Sequence, residues 1–326
     1  MIPILLPPNR PAERFYRGGA RISAFRGEDG GAAPREPEDW IGSTTTVNGE
    51  PELGLTTLPD GRVLRDEIER DPVAWLGDEH VARWGTDTRL LVKLLDAGQR
   101  LPVHAHPHDD FAAMHLGRAH GKAEAWYILQ GGTVHIGLRQ DVEAADLSAL
   151  VVRQDATTLL GLLHEIEVAA GDVVWVPPGE LHAIGAGVLL LELQQPEDLS
   201  ILLEWGDFAI DGAAVGHLGL GFDLALAAVT TTARSAGDLA SLISAAPESG
   251  SVFPAAADEY FRLERVLLRG AAAVDQGFSI VIVNDGDVEI GAQRFRRGST
   301  LLVPHAAGAL AATGTGELLV ARPPAP

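Results

Sequence analysis

Apolar residues recur along this chain in two patterns, and their order predicts a mainly β protein with helical insertions. Near-continuous apolar runs of five to eight residues, bounded by turn residues, are typical of buried strands. Such runs span 88–95, 172–176 and 188–193. Helical spacing occurs instead from Leu64 to Trp84, with a break near Pro72, and again over 142–166.

Shorter elements are predicted between these runs. Residues 1–60 indicate short strands and turns, 109–117 a short helix, and 212–244 two short helices. The strands Trp126–Leu129 and Thr133–Leu138 are expected to pair as a hairpin about Gly131. Glu192 places a charge inside an apolar run, so it should be paired or face a polar cavity.

The last 70 residues are interpreted as a second, degenerate copy of the preceding β unit. The stretch from Ser279 to Ile290 predicts a hairpin that turns at an Asp-Gly pair ending at Gly286. Gly298 and Pro304 repeat the spacing of Gly171 and Pro177. The expected divisions are a metal-binding unit over 1–210, a helical connector over 211–254 and a C-terminal unit without ligands over 255–326.

Composition narrows the classes of function. The chain has 326 residues, no cysteine and a formal net charge of −20. An acidic surface repels nucleic acid and anionic lipid, and no apolar run approaches the roughly 20 residues that span a bilayer. We therefore expect a cytoplasmic protein that acts on a small molecule.

Lysine usage is selective. Of 25 basic residues only Lys93 and Lys122 are lysines. An ammonium group is a compact charge whose pKa responds to its surroundings, which arginine does not offer. These two lysines are therefore candidates for chemistry, although a lysine whose stem packs along apolar surface is the simpler alternative.

His104 and His106 stand two residues apart in a predicted strand and so share one face. Joined by a carboxylate and another imidazole from later strands, they form a set suited to a divalent transition metal. Glu124 and His182 are the candidates for those two positions.

Spacing gives this set a family resemblance. Glu124 precedes Gly131 by seven residues, and Pro177-x-Gly179 precedes His182, as in the paired motifs of the cupins. A segment of 17 residues separates His106 from Glu124, which is longer than in ordinary cupins. With Leu-Val-Lys93, Gly-Lys122-x-Glu124-x-Trp-Tyr and Glu192-Leu-Gln-Gln-x-x-Asp198, the chain resembles type I phosphomannose isomerases.

The resemblance implies a bicupin, that is, two double-stranded β-helix barrels, the first of which binds zinc through His104, His106, Glu124 and His182. It implies interconversion of mannose 6-phosphate and fructose 6-phosphate through a cis-enediol. The candidates for proton transfer or charge neutralisation are Lys122, Lys93, Glu192 and Asp198. The candidate substrate contacts are Arg118 and Trp126, with Arg118, His120 and Lys122 as one basic cluster that would hold an anion.

Two departures from the family keep alternatives open. His104 stands where the family has glutamine, so Mn, Fe or Ni become alternatives to zinc. Leu202 stands where the family has an arginine, which removes a bidentate partner for phosphate or enediolate. The alternatives are an isomerase of another, unphosphorylated sugar, a non-catalytic sugar-binding or regulatory cupin, and a cupin dioxygenase.

Overall fold

The computed structural model describes all residues, 1–326. Eighteen strands are present. They are β1 (Ile4–Leu5), β2 (Glu38–Ile41), β3 (Leu91–Asp96), β4 (His104–Ala105), β5 (Glu124–Gln130), β6 (Gly132–Leu138), β7 (Leu163–Val168), β8 (Asp172–Val176), β9 (His182–Ile184), β10 (Leu189–Gln194), β11 (Ile201–Leu202), β12 (Ile243–Ala245), β13 (Gly250–Ser251), β14 (Arg262–Val274), β15 (Ser279–Ile290), β16 (Gln293–Arg296), β17 (Thr300–Val303) and β18 (Leu310–Arg322).

Ten α-helices, none longer than ten residues, connect the strands. They are α1 (Ala20–Arg26), α2 (Leu64–Arg70), α3 (Pro72–Leu76), α4 (Asp78–Trp84), α5 (Asp109–Phe111), α6 (Ala144–Arg153), α7 (Ala156–Gly161), α8 (Gly212–Val215), α9 (Phe222–Ala225) and α10 (Ala236–Leu242). A π-helical turn, Ala112–Leu116, extends α5. None of these helices is long and apolar enough to cross a membrane.

The strands form three antiparallel sheets, which confirms the mainly β class. A six-stranded sheet has the order β12-β8-β5-β10-β3-β2, and a five-stranded sheet has the order β11-β4-β9-β6-β7. The C-terminal strands form a seven-stranded sheet with β1 at one edge. Non-consecutive neighbours in every sheet mean that the fold is built from long-range pairings.

The sheets and helices stack in layers. One core cluster joins inward residues of the six-stranded sheet, such as Trp126, to inward residues of the five-stranded sheet, such as Ile136. A second cluster packs α6 and α7 on the outer face of the five-stranded sheet. The seven-stranded sheet covers the other face of the six-stranded sheet, where the ring centroids of Trp175 and Phe261 lie 6.1 Å apart. The space between the first two sheets is therefore walled on both sides.

The hairpin predicted about Gly131 is wrong in its pairing. Both strands exist, but β5 pairs with β8 and β10 while β6 pairs with β7 and β9. Each strand has a neighbour on both sides, which leaves no edge at which the two could pair. The chain crosses from one sheet to the other at Gly131.

Several helix boundaries also differ from the predictions. The region 1–60 contains α1, and Gly77 divides the predicted helical stretch 64–84 once more, after the expected break before Pro72. The range 142–166 is helical only to Gly161, because β7 is needed to pair with β6. The range 212–244 holds three α-helices where two were expected.

Gly286 does not turn the chain as predicted. β15 runs unbroken through Gly286, and its register with β18 shifts between Val283 and Asp285. The positive φ of Gly286, 77°, therefore serves a β-bulge. The turn between β15 and β16 lies at Gly291, whose φ is 62°.

The predicted division at residue 255 crosses the main core. One cluster of 46 buried residues contains Trp75 and Trp175 together with Phe261 and Leu302. β12, inside the predicted connector, adds an edge strand to the six-stranded sheet by pairing with β8. The C-terminal sheet also has a core of its own, 13 residues that include Val281. The three-unit division stays a prediction.

Candidate metal centre and adjoining cavity

The four predicted metal ligands come together between the two facing sheets. His104 and His182 are directly paired across β4 and β9, so their rings lie on one face with centroids 4.0 Å apart. The possible ligand atoms of His104, His106 and His182 all lie within 4.8 Å of one another. Glu124 reaches them from β5 in the opposite sheet, with Oε2 3.0 Å from His106 Nε2.

Each imidazole is held by a backbone carbonyl at Nδ1. A carbonyl only accepts, so every Nδ1 carries the proton and every Nε2 is an acceptor that faces the centre. The acceptors are the carbonyls of Pro102 for His104 (2.8 Å), Leu199 for His106 (2.7 Å) and Glu180 for His182 (2.9 Å). His182 Nε2 is buried and has no hydrogen-bond partner. This donor set fits a divalent transition metal.

The protonation states of these side chains also favour metal binding. Burial, followed by the charge of His182, holds the pKa of His104 well below its ordinary value. Burial and then Lys122 lower the pKa of His106 to about 3. Burial would raise the pKa of Glu124, but Lys122 and His106 outweigh it and keep that carboxyl ionised. His104 and His106 are therefore neutral and Glu124 is anionic, as metal ligation requires.

Lys122 lies against this centre. Its Nζ is 2.7 Å from Glu124 Oε2 and 3.0 Å from His106 Nε2. The backbone around it is fixed by the inserted segment, because Gly121 donates to Asp109 Oδ1 at 2.8 Å and Lys122 donates to the Pro107 carbonyl at 3.0 Å. The insertion that separates His106 from Glu124 thus positions a cation beside the ligands.

A cavity of about 490 Å³ opens onto the centre. His104 and Glu124 form part of its wall, and all four residues proposed for proton transfer or charge neutralisation line it. The other polar side chains of the wall are Arg14, Tyr16, Glu38, Asn48 and Ser200.

One row of side chains crosses the six-stranded sheet beneath this cavity. Trp40, Lys93, Glu192 and Trp126 are directly paired on neighbouring strands, so they share the inner face. Lys93 Nζ lies 3.3 Å from Glu192 Oε1 and 3.6 Å from Glu38 Oε2. The prediction that Glu192 is paired and faces a polar cavity is confirmed.

The two partners in this row differ in proton affinity. Burial by itself would lower the pKa of Lys93. The charges of Glu192 and Glu38 outweigh burial, so the pKa is raised above its ordinary value and the ammonium group stays protonated. Burial, and then the charge of Glu124, raise the pKa of Glu192 above its ordinary value. Among the carboxyls proposed for proton transfer, Glu192 is the one shifted towards neutral pH.

Arg14 and Glu38 are functional candidates that sequence reasoning did not single out. Arg14 Nη1 and Nη2 each lie 3.3 Å from an oxygen of Asp198, and Arg14 Nε donates to Glu38 Oε1 at 2.9 Å. The available signal was weak: Arg14 precedes two aromatics, and Glu38 alternates with Trp40 on one strand. Their convergence depends on the fold.

Arg118 and Trp126, the predicted substrate contacts, do not line the cavity. Trp126 is fully buried and its indole N–H donates to Glu124 Oε1 at 3.1 Å, so it contacts a metal ligand. Arg118 Nη1 lies 3.7 Å from Glu197 Oε2, and Nη2 donates to Asn48 Oδ1 at 3.1 Å. Asn48 itself borders the cavity, so Arg118 acts on the wall indirectly.

The three residues of the predicted basic cluster, Arg118, His120 and Lys122, contact different carboxylates. His120 Nε2 lies 2.6 Å from Asp87 Oδ2, whereas Lys122 contacts Glu124. Each of the three basic groups therefore has its own carboxylate partner.

Leu202 faces the cavity beside the ligands. It is paired directly opposite His104, and its backbone N–H donates to the Gly216 carbonyl at 2.8 Å. Val215 and Leu218 extend this apolar part of the wall. Leu218 has a φ of 54°, an unusual value for a bulky residue, and its side chain packs on the core behind the five-stranded sheet.

Two facing antiparallel sheets thus enclose three histidines and a glutamate that could hold a metal ion. Solved structures agree over the whole chain. A mannosephosphate isomerase described as putative, from Archaeoglobus fulgidus, superposes with a TM-score of 0.76 at 19% identity, covering 99% of this chain and 98% of the other. The mannose 6-phosphate isomerase of Bacillus subtilis superposes with a TM-score of 0.70 at 22% identity, covering 99% and 100%.

Sequence similarity to curated proteins covers less of the chain. The mannose-6-phosphate isomerase ManA of Bacillus subtilis is 38% identical over 120 residues, which are 35% of this chain and 36% of that protein. Other mannose-6-phosphate isomerases match over a third to about half of their length. No protein-family model matches. The resemblance to the phosphomannose isomerases is thus confirmed, in fold over the whole chain and in sequence over part of it.

Proposed function

We propose that this protein is a metal-dependent aldose–ketose isomerase that moves a proton between C1 and C2 of a sugar of the mannose–fructose type. The names of the similar proteins make mannose 6-phosphate the first substrate to test, and fructose 6-phosphate is the product that such an isomerisation would form. One observation carries the proposal: a three-histidine, one-glutamate set opens into the same cavity as two buried lysines and Glu192. The cytoplasmic location expected from the sequence is part of the proposal.

His104, His106, Glu124 and His182 would hold the metal. When bound, a divalent ion supplies Lewis-acid stabilisation of charge on sugar oxygens. Zinc is the expected metal, and Mn, Fe or Ni are alternatives because a set of three imidazoles and one carboxylate suits them as well.

The transfer of the proton is assigned to Glu192. A cis-enediol needs one group that removes a proton from one carbon and returns it to the neighbouring carbon, with a pKa near the working pH. The raised pKa of Glu192 and its place in the cavity wall suit this role. Burial by itself would raise the pKa of Asp198. The charges of Arg14 and Lys93 outweigh burial and lower this pKa below its ordinary value, which makes Asp198 a weaker base than Glu192.

The lysines are assigned to charge neutralisation. Lys93 stays protonated next to Glu192 and stabilises its ionised form. Lys122 places an ammonium group at the boundary between the ligand set and the cavity, where negative charge develops on an enediolate oxygen.

The ligand assignment is tested by metal content. His106→Ala and Glu124→Ala should each reduce bound metal from one equivalent to near zero, measured by elemental analysis after reconstitution. His164→Ala is the matched control, since His164 binds the Arg234 carbonyl away from the centre. One equivalent of bound metal in the first two variants would contradict the assignment of His106 and Glu124 as ligands.

The catalytic assignment is tested by isomerisation of mannose 6-phosphate and of free mannose, run side by side. Glu192→Gln should lower kcat by about 10²- to 10⁴-fold, the usual contribution of a general base. Lys122→Ala should lower turnover far more than thermal stability. Equal losses of turnover and stability would indicate a structural role for that lysine.

A non-catalytic sugar-binding protein is the second candidate. It is favoured by Leu202, an apolar side chain beside His104 where the resemblance implies an arginine. This alternative predicts saturable binding of sugar to the metal-loaded protein, measured by calorimetry, without any turnover.

A further inference from the structure

Every cation in the cavity wall is already paired with a carboxylate of the same wall. The cations are Arg14, Lys93 and Lys122, and the carboxylates are Glu38, Glu124, Glu192 and Asp198. Among these side chains, carboxylates outnumber cations by four to three. An anionic ligand would find no free positive charge among the side chains that line the cavity.

Arg14 is the clearest case. A guanidinium fork is the geometry that best binds a phosphate, through two parallel N–H donors. Here the fork is filled by Asp198, one oxygen on each terminal nitrogen at 3.3 Å, while the remaining edge binds Glu38 at 2.9 Å. Asp198 is fixed in turn by the Asn48 backbone N–H at 3.2 Å. The chain supplies its own anion at this position.

The two lysines are no more available. Lys93 lies between Glu192 and Glu38, at 3.3 and 3.6 Å, and both of its partners are buried. Lys122 contacts Glu124 at 2.7 Å. A phosphate at Lys93 would have to displace a buried carboxylate, and an uncompensated buried carboxylate is costly. Lys122 lies at the ligand set, where it is assigned to the enediolate oxygen and not to a phosphate.

The rest of the wall offers apolar surface. Leu202 lines the cavity, and its backbone is hydrogen-bonded to the segment around Gly216. The other apolar lining residues of this segment are Ile210, Ala214, Val215 and Leu218. Arg118, the remaining basic residue near this region, lies outside the lining and pairs with Glu197. With a formal charge of −20 on the chain, long-range repulsion also works against an anion.

We infer that the substrate is an unphosphorylated sugar, an inference that rests on the proposed isomerase function and specifies its substrate class. A phosphate dianion entering the cavity would lose its hydration without gaining an unpaired cationic side chain. Sugar hydroxyls donate and accept, so the oxygens of Asp198 and Glu38 and the side chains of Ser200 and Asn48 match a neutral sugar.

The first test compares substrates on the metal-reconstituted full chain. Mannose, glucose and fructose are each run against their 6-phosphates, and isomerisation is followed by NMR. The expected result is a kcat/KM at least 10-fold higher for the best free sugar than for any phosphorylated one. A preference for a 6-phosphate would overturn the inference while leaving the isomerase intact. No turnover of any sugar by metal-loaded protein would overturn both.

The second test frees the arginine fork. Asp198→Asn removes the carboxylate that fills Arg14, so the ratio of kcat/KM for mannose 6-phosphate to that for mannose should rise at least 10-fold, whatever happens to turnover common to both. Glu197→Gln is the matched control, because Glu197 pairs with Arg118 outside the cavity lining. An unchanged ratio in Asp198→Asn would contradict the role given to this carboxylate. The comparison on the unaltered chain decides the inference if this variant does not fold.

Discussion

Three backbone carbonyls fix the tautomers of the three histidines His104, His106 and His182. Two of them are local, since Pro102 and Glu180 stand two residues before the histidines they bind. The third acceptor, Leu199, is 93 residues from His106 along the chain. Spacing could therefore predict which residues ligate, but the tautomer of His106 depends on the strands that bring the segment before β11 beside β4.

Trp126 gives a prediction at this scale. Its indole N–H holds Glu124 Oε1, so Trp126→Phe keeps most of the ring volume and removes only this hydrogen bond. Loss of a partner that orients a ligand typically lowers metal affinity by about 10- to 100-fold. Chelator competition measures the change, and Trp175→Phe, a buried tryptophan in the neighbouring strand β8, is the control. Equal affinity in the two variants would rule out the positioning role.

At the scale of elements, strands were easier to predict than their partners. The apolar runs located β3, β8 and β10 because burial on both faces imposes a continuous apolar pattern. Pairing between β5 and β6 was predicted from proximity along the chain, whereas each strand pairs with segments far away in sequence. A glycine pair favours a hairpin only when both strands still have a free edge.

The crossing at Gly131 can be tested directly. A Cβ at this position would overlap the Val168 carbonyl oxygen, a backbone atom that cannot move freely. Gly131→Ala should therefore lower the free energy of unfolding by about 1–3 kcal/mol, as overpacking does. Gly161→Ala is the control, since nothing lies within 4 Å of its Cβ and alanine should stabilise a helix end. Urea unfolding measures both, and equal effects would contradict the crossing geometry.

At the scale of the whole molecule, the C-terminal sheet acts as a wall for the sheet that carries the site. Tyr127 on β5 donates to Glu317 on β18 at 3.1 Å, and Arg26 pairs with Asp39 while donating to Thr300 at 3.1 Å. The six-stranded sheet and the C-terminal sheet both contribute side chains to the cluster of 46 buried residues, so we expect these two sheets to unfold together.

Phe261 tests that coupling. It is fully buried against Trp175, so Phe261→Ala should cost about 3–5 kcal/mol. All six tryptophans precede residue 210, so fluorescence reports the N-terminal part alone while circular dichroism reports the whole chain. Both transitions should shift together to lower denaturant. A fluorescence transition that stays at its original midpoint would show that the C-terminal unit folds independently.

The sequence by itself determined what depends on local spacing: the buried strands, the two histidines on one face, the later glutamate and histidine, and the charged Glu192 in an apolar run. It also located the two lysines, because no other lysine occurs in the chain. The tertiary structure decided the relations between distant segments: the separate sheets of β5 and β6, the pairing of Arg14 with Asp198, and the different carboxylate partners of Arg118 and Lys122. The physical reason is that ion pairs and strand partners are set by which surfaces meet in the fold, and neither charge nor periodicity encodes that meeting along the chain.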